Sequence, residues 1–299
     1  MKILLLGKNG QVGWELQRSL APLGELVALD RNDASPFRAD LTDPACLELA
    51  VRRVRPDVIV NAAAHTAVDR AELEPDLARA INATAPGVLA RDAAAADALL
   101  VHYSTDYVFD GTGSKPWTES DATGPLNVYG RTKLEGEELV RSSGCRHLIY
   151  RTSWVYASRG QNFARTMLRL AVERDSLTVI DDQHGAPTGA DLLADVTAHA
   201  LLTVICRPEL AGTFHVAASG ETTWYGYATH VIEAARVAGQ PIRVSPSAIR
   251  RVPSTAYVTE AKRPGNSRLD TRKFRQTFQL VLPDWKSGVD RMLAEVIGR

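Results

Sequence analysis

Along the first half of the chain, short runs of consecutive apolar residues alternate with stretches in which apolar residues recur every three or four positions. The runs at 3–6, 26–29, 57–64, 98–104 and 146–152 have the length and branched-residue content of strands buried on both faces. A further short strand is expected at 37–41. Between them, Val12, Leu16 and Leu20, then Leu47, Ala50, Val51 and Val54, fall at helical spacing, and two more helices are expected near 69–82 and 85–97. Residues 127–142 read as another helix, with Val128, Leu134, Leu139 and Val140 on one side and Lys133, Glu135, Glu137, Glu138 and Arg141 on the other. Strand and helix alternating this regularly predict an α/β fold built on a doubly wound parallel sheet.

Beyond residue 155 the alternation loosens. Helices are expected around 163–171, 190–205 and 223–238, with a last one carrying Val289, Leu293 and Val296, and short strands at 177–180 and 213–216. A Pro-rich, basic stretch runs from 241 to 268. The expected division is therefore 1–155 as the sheet domain and 156–299 as a smaller, mainly substrate-binding C-terminal subdomain, some of whose elements return to the sheet.

Composition narrows the function classes. The 299 residues suffice for a sizeable core, and 45% hydrophobic with 23% charged residues is ordinary for a globular protein. Basic and acidic residues balance at 35 each, which gives no general affinity for nucleic acid or an anionic membrane. The apolar start is broken by Gly7, Lys8 and Asn9, too early for a signal peptide, and no stretch has the length of a membrane span. Cys46, Cys145 and Cys206 are too few and too far apart for a disulfide framework or a zinc site. A cytoplasmic location is expected.

Candidate chemistry sits at the strand ends. Residues 3–6 run into Gly7-Lys-Asn-Gly10-Gln-Val-Gly13, a strand, glycine turn and helix of the kind that brings backbone N–H groups to a pyrophosphate, although a plain turn has the same composition. The next strand ends in Asp30, at the distance where an acid meets an adenosine ribose. The adjacent Arg31 offsets its repulsion of a 2′-phosphate, so NADH and NADPH both remain open. Residues 98–104 end in Thr105-Asp106, where a hydroxyl could bond a substrate oxygen or merely cap the strand. Tyr129 and Lys133 are four apart on a helix and so share a face. An ammonium about 4 Å from a phenol favours the phenolate by up to about 4 kcal/mol, roughly three pKa units, which would bring an acid of pKa near 10 into the catalytic range. A surface Tyr and a solvated Lys give the same spacing. Arg263-Pro-Gly-Asn-Ser-Arg268 is cationic enough for a diphosphate, or is a solvated loop.

Together these motifs resemble the extended short-chain dehydrogenase/reductase family, in its branch acting on dTDP-4-keto sugars. The matching stretches are 7–16, 61–69, 104–109, 125–133, 151–156, 182–189 and 263–269, spread over nearly the whole chain. The resemblance implies a Rossmann-like fold and NAD(P)H-dependent reduction of the 4-keto group of dTDP-6-deoxy-L-lyxo-4-hexulose to dTDP-L-rhamnose, a precursor for lipopolysaccharide and O-antigen. It implies that Gly7, Gly10, Gln11, Val12 and Gly13 cradle the cofactor, that Asp30 and Arg31 meet its ribose, and that Asp40 and Leu41 flank adenine. Ala63, Ala64 and His65 would line its path. Tyr129 would give the proton, Lys133 would hold the nicotinamide ribose and tune Tyr129, and Thr105 would supply the hydroxyl. Asp106 and Trp154 would border the sugar, with Arg263 also on the substrate side. It further implies a homodimer bridged by Mg2+ through Glu15 and Asp191.

Two alternatives are kept. A nucleotide-sugar dehydratase or epimerase shares the cofactor site and the Tyr/Lys pair, but the dehydratases resemble one another in a Thr-Asp-Glu triplet, and here Tyr107 follows Thr105-Asp106. A non-catalytic, cofactor-binding regulatory subunit would not need Thr105, Tyr129 and Lys133 together.

Overall fold

The structure, a computed structural model, describes residues 1–34 and 38–298. The first half runs β1 (Lys2–Leu6), α1 (Gln11–Leu20), β2 (Glu25–Leu29), α2 (Pro44–Val54), β3 (Val58–Asn61), α3 (Val68–Leu73), α4 (Pro75–Arg79), α5 (Ala85–Ala95), β4 (Leu99–Thr105), α6 (Val128–Ser142) and β5 (His147–Thr152). The second half runs β6 (Val155–Tyr156), α7 (Phe163–Glu173), β7 (Leu177–Ile180), β8 (His184–Gly185), β9 (Thr188–Gly189), α8 (Ala190–Cys206), β10 (Gly212–His215), β11 (Thr222–Thr223), α9 (Trp224–Val237), β12 (Ile249–Val252), α10 (Arg272–Phe278) and α11 (Trp285–Ile297).

Six strands form one parallel sheet in the order β10-β5-β4-β3-β1-β2. Successive side chains of a strand point to opposite faces, so an all-apolar run must be covered on both. Ile3 and Leu5 of β1 pack with α1 and α8, whereas Leu4 and Leu6 pack with α2 and α5. Strand β10 comes from the second half and pairs with β5, as expected of an element returning to the sheet. A third apolar cluster, built from α7, α9, α11 and Tyr156, forms the core of the C-terminal part.

Three expectations need correction. Phe37 lies outside the described residues, and Arg38 to Leu41 form no strand. Strand β3 stops at Asn61, so Ala62 to Ala64 continue as irregular chain. The helix expected at 69–82 is broken at Pro75 and passes through a π-turn at Ala80–Thr84 into α5. Pro86 explains the widened turn: it has no N–H for the Asn82 carbonyl, and its ring would press on that carbonyl in a regular helix. Gly136 of α6 fits against the same carbonyl, where a Cβ would come within 2.2 Å of the oxygen.

Candidate active site

The chain reverses its order of strand addition at β1, which has β2 on one side and β3 on the other. At such a switch point the loops leave in opposite directions and open a crevice at the carboxyl ends of the strands. A cleft of about 670 Å³ lies there, running from the turn after β1 past the ends of β2 to β5.

One end of the cleft is backbone. Gly7 takes a left-handed φ of +85° and its carbonyl accepts the Gly10 N–H at 3.0 Å. Gly13 packs under this turn, where a Cβ would sit 2.0 Å from the Gly7 oxygen, so only glycine fits. Gly10 caps α1 without a side-chain bond, leaving the first N–H groups of the helix available to an anion. Gly7, Gly10, Gln11, Val12, Asp30, Arg31, Asp40, Leu41, Ala63 and Ala64 all line the cleft. Lys8 and Asp33 were not singled out from sequence. Their ion pair at 2.7 Å, with Asp33 also accepting the Asp30 N–H, fastens the loop after β2 to the glycine turn. The glycine cradle, the uncapped helix and the small alanines of 62–64 fit a dinucleotide.

The other end holds the polar side chains Thr105, Asp106, Tyr129, Lys133 and Trp154, together with Thr152, Ser153 and Trp224. Thr105 ends β4, donates to Asp106 Oδ1 at 3.1 Å and accepts the Tyr107 N–H at 3.2 Å. The Tyr129 phenol reaches the Thr105 hydroxyl, and its ring meets Tyr107 edge to face at 5.6 Å. Burial pushes the phenol up to about 12; the Thr105 bond opposes this and the Asp106 charge adds to it.

The Lys133 amine, expected to tune Tyr129, has its hydrogen-bond partners on β4. Its Nζ donates to the Tyr103 carbonyl at 2.6 Å and lies 3.2 Å from His102 Nε2, and burial brings the ammonium down to about 8 against the pull of Glu137. Glu137, one turn further along α6, is fully buried and joins three elements: it accepts from Ser104 of β4, Arg151 of β5 and Arg141 of α6. Burial would raise that carboxyl, but the arginines and Ser104 outweigh it and hold it below the usual range.

Burial pushes Asp106 up to about 7, with bonds from Ser267 and Thr105 opposing, and its Oδ2 has no partner among the described residues. A carboxyl raised on folding penalises the folded state once it ionises, so the penalty is absent below the unfolded pKa and complete above about 7. Asp106→Asn is therefore expected to raise Tm at pH 8 but not at pH 4; equal shifts at both would show that the carboxyl ionises freely.

Trp154 has a left-handed φ of 48° and stacks on Trp224 with ring centroids 3.7 Å apart. Gly185 lies against its indole, where a Cβ would come within 2.8 Å of the ring, so the strained backbone is held by packing on both sides.

Several expected residues lie elsewhere. Gly13 is beneath the turn and not on the cleft wall; His65 is also off the cleft wall, its backbone N–H bonding Asn82 and its ring lying 3.7 Å from Glu74. Arg263 makes a two-point pair with Asp69 at 2.6 and 3.0 Å, which spends its charge on fastening the 261–268 loop to α3. Glu15 and Asp191 are near enough for Asp191 to help raise Glu15, although burial is the larger cause; each is also within 4 Å of an arginine, Arg18 and Arg291. Among the described residues no three His, Cys, Asp or Glu side chains gather closely enough to hold a metal ion. No helix among them is long and apolar enough to cross a membrane.

The model of the RmlD substrate binding domain family matches residues 1–297. The dTDP-4-dehydrorhamnose reductase of Escherichia coli K12 is 58% identical over 99% of this chain and 98% of its own length. Among solved structures, the dTDP-4-dehydrorhamnose reductase of Clostridium acetobutylicum is 36% identical with a TM-score of 0.87, covering 99% of both chains. That of Bacillus anthracis, solved in complex with NADP, is 32% identical with a TM-score of 0.87, covering 98% of this chain and 99% of its own. A glycine-lined cleft ending in Thr, Tyr and Lys, on a fold shared end to end with these enzymes, places the chain in the dTDP-4-dehydrorhamnose reductase family.

Proposed function

We propose that Thr105, Tyr129 and Lys133 carry the NAD(P)H-dependent reduction of the 4-keto group of dTDP-6-deoxy-L-lyxo-4-hexulose to dTDP-L-rhamnose, the reductive step of dTDP-rhamnose biosynthesis. The observation that carries the assignment of roles is that Thr105, Tyr129 and Lys133 line the open end of β4 in the same cleft as the glycine turn. When bound, the reduced cofactor supplies the hydride to the carbonyl carbon. Tyr129 donates its proton to the carbonyl oxygen, and the Thr105 hydroxyl bonds that oxygen and orients the phenol. A phenol raised to about 12 is fully protonated at neutral pH, the state a proton donor needs. Lys133 serves the nicotinamide ribose, and the 10–13 turn and Asp30 serve the pyrophosphate and adenosine. Asp106 and the Trp154–Trp224 stack border the sugar.

Mixing the keto sugar with NADH or NADPH is expected to oxidise one cofactor per sugar reduced, read as loss of the near-ultraviolet absorbance of the reduced cofactor. An epimerase would return its hydride and leave the absorbance unchanged, which would overturn the assignment. Adding a chelator to the same assay, with sedimentation alongside, tests the homodimer and the Mg2+ bridge that the family implies at Glu15 and Asp191.

A further inference from the structure

Behind Lys133 lies a buried row of polar side chains that the reaction above does not use. Asn61 of β3 and His102 of β4 are register partners and face α6 from adjacent strands, both essentially without exposed surface. Asn61 Oδ1 accepts the Ala63 N–H at 3.2 Å, and this fixes which way the amide points. Its Nδ2 is then the atom 3.2 Å from His102 Nδ1, and since an amide nitrogen only donates, Nδ1 must accept. In the neutral ring the proton is therefore on Nε2, which faces Lys133 Nζ at 3.2 Å, while Nζ itself donates to the Tyr103 carbonyl. Only an uncharged amine has the lone pair to accept from Nε2–H; an ammonium in the same place sets donor against donor. Turning the Asn61 amide over would merely move that conflict to the Ala63 N–H.

We propose that His102 is a positioning residue that makes cofactor binding depend on protonation of Lys133: with Asn61 it forms a one-directional chain of hydrogen bonds that ends on the Nζ lone pair. On binding, the amine exchanges His102 for the acceptor hydroxyls of the ribose and is held there as the ammonium, so a proton is taken from solvent wherever the free amine is neutral. The inference rests on Lys133 serving the nicotinamide ribose, as argued above. The depressed ammonium, near 8, and a His102 ring held well below its usual range by burial and by Lys133 agree with the chain. Glu137 on α6 is the charged group that acts on the amine, and the titratable groups lining the same cleft on neighbouring elements are Tyr129 on α6, Tyr103 on β4, and Asp106 and Tyr107 in the turn after β4. Glu137 favours the ammonium, but its charge is already shared with Arg151 and Arg141. From α3, Glu72 bonds the Val128 N–H, and from α4, Arg79 pairs with Glu135 on the outer face.

The test is the pH dependence of NADH affinity in the full-length protein, at constant ionic strength, with ADP as a control ligand that ends before the nicotinamide ribose. Affinity of the unmodified protein is expected to be level below about pH 8 and to fall by up to about tenfold per unit above it, while ADP affinity stays level. In His102→Gln the amide can turn its oxygen to the ammonium. In Asn61→Asp the carboxylate draws the ring proton to Nδ1 and frees Nε2 to accept. Both variants are expected to move the fall upward by about one pH unit or more, and Lys133→Arg, always charged, is expected to remove it. A level NADH profile in the unmodified protein, or a fall at the same pH in two folded variants, would overturn the proposal. If Lys133→Met bound NADH at pH 7 as tightly as the unmodified protein, the ribose role of Lys133 would itself be wrong. A normal loss in Lys133→Met with unshifted His102→Gln and Asn61→Asp profiles removes only the part given to His102.

Discussion

Tyr129→Phe is expected to lower kcat by about 100- to 10,000-fold, the usual contribution of a positioned general acid, while leaving the Kd for NADH within about twofold. The ring remains, so the edge contact with Tyr107 and the cleft wall are kept, and only the hydroxyl against Thr105 is lost. The phenol reaches about 12 because burial disfavours the phenolate, so the protein stores a proton there at neutral pH. Proton donation needs the protonated phenol, and burial and the Asp106 charge favour that form while Thr105 opposes it. Steady-state turnover with the keto sugar and fluorescence titration with NADH separate the two effects. Near-normal kcat in Tyr129→Phe would take the proton-donor role away from Tyr129.

The largest effect on stability is expected from Glu137→Leu. Arg151 is 4% exposed and Glu137 has no exposed side-chain surface, so removing the acid leaves a buried guanidinium without its counter-charge. Breaking such a pair costs about 3–5 kcal/mol, or roughly 5–10 °C in Tm for a chain of this size. Replacing both partners, Glu137→Leu with Arg151→Leu, is expected to recover much of the loss, because the penalty belongs to the orphaned charge. The pH dependence has a definite sign. The folded carboxyl lies below its unfolded value, so its contribution is present above about pH 4.3 and is lost as pH falls through the lower, folded pKa. The gap in Tm between the unmodified protein and Glu137→Leu should therefore be full at pH 7 and narrow in acid. Scanning calorimetry on the three proteins decides it; a single variant melting within about 1 °C of the unmodified protein would show that the α6 helix is held by other means. Because Tyr129 and Lys133 share that helix, the same network holds their segment of α6 against β4 and β5.

Much of this was legible in the residues alone because it depends on local periodicity. Short apolar runs alternating with helical spacing favour strands covered on both faces, so residues 3–6 and 98–101 pointed to the parallel sheet before any partner was known. Glycines where the backbone must turn back on itself marked the cofactor turn, and the four-residue spacing placed Tyr129 and Lys133 on one face of α6. What spacing cannot encode is which way a long side chain points or how far burial moves its protonation, since both depend on groups distant in the chain. The Lys133 amine turns to His102 and Tyr103, Arg263 turns to Asp69, and Trp154 stacks on Trp224, in each case through contacts between residues far apart in the chain that only the folded structure brings together. The same desolvation that makes a core stable sets the acidity of Tyr129, Lys133 and Asp106, and it exists only in the folded chain.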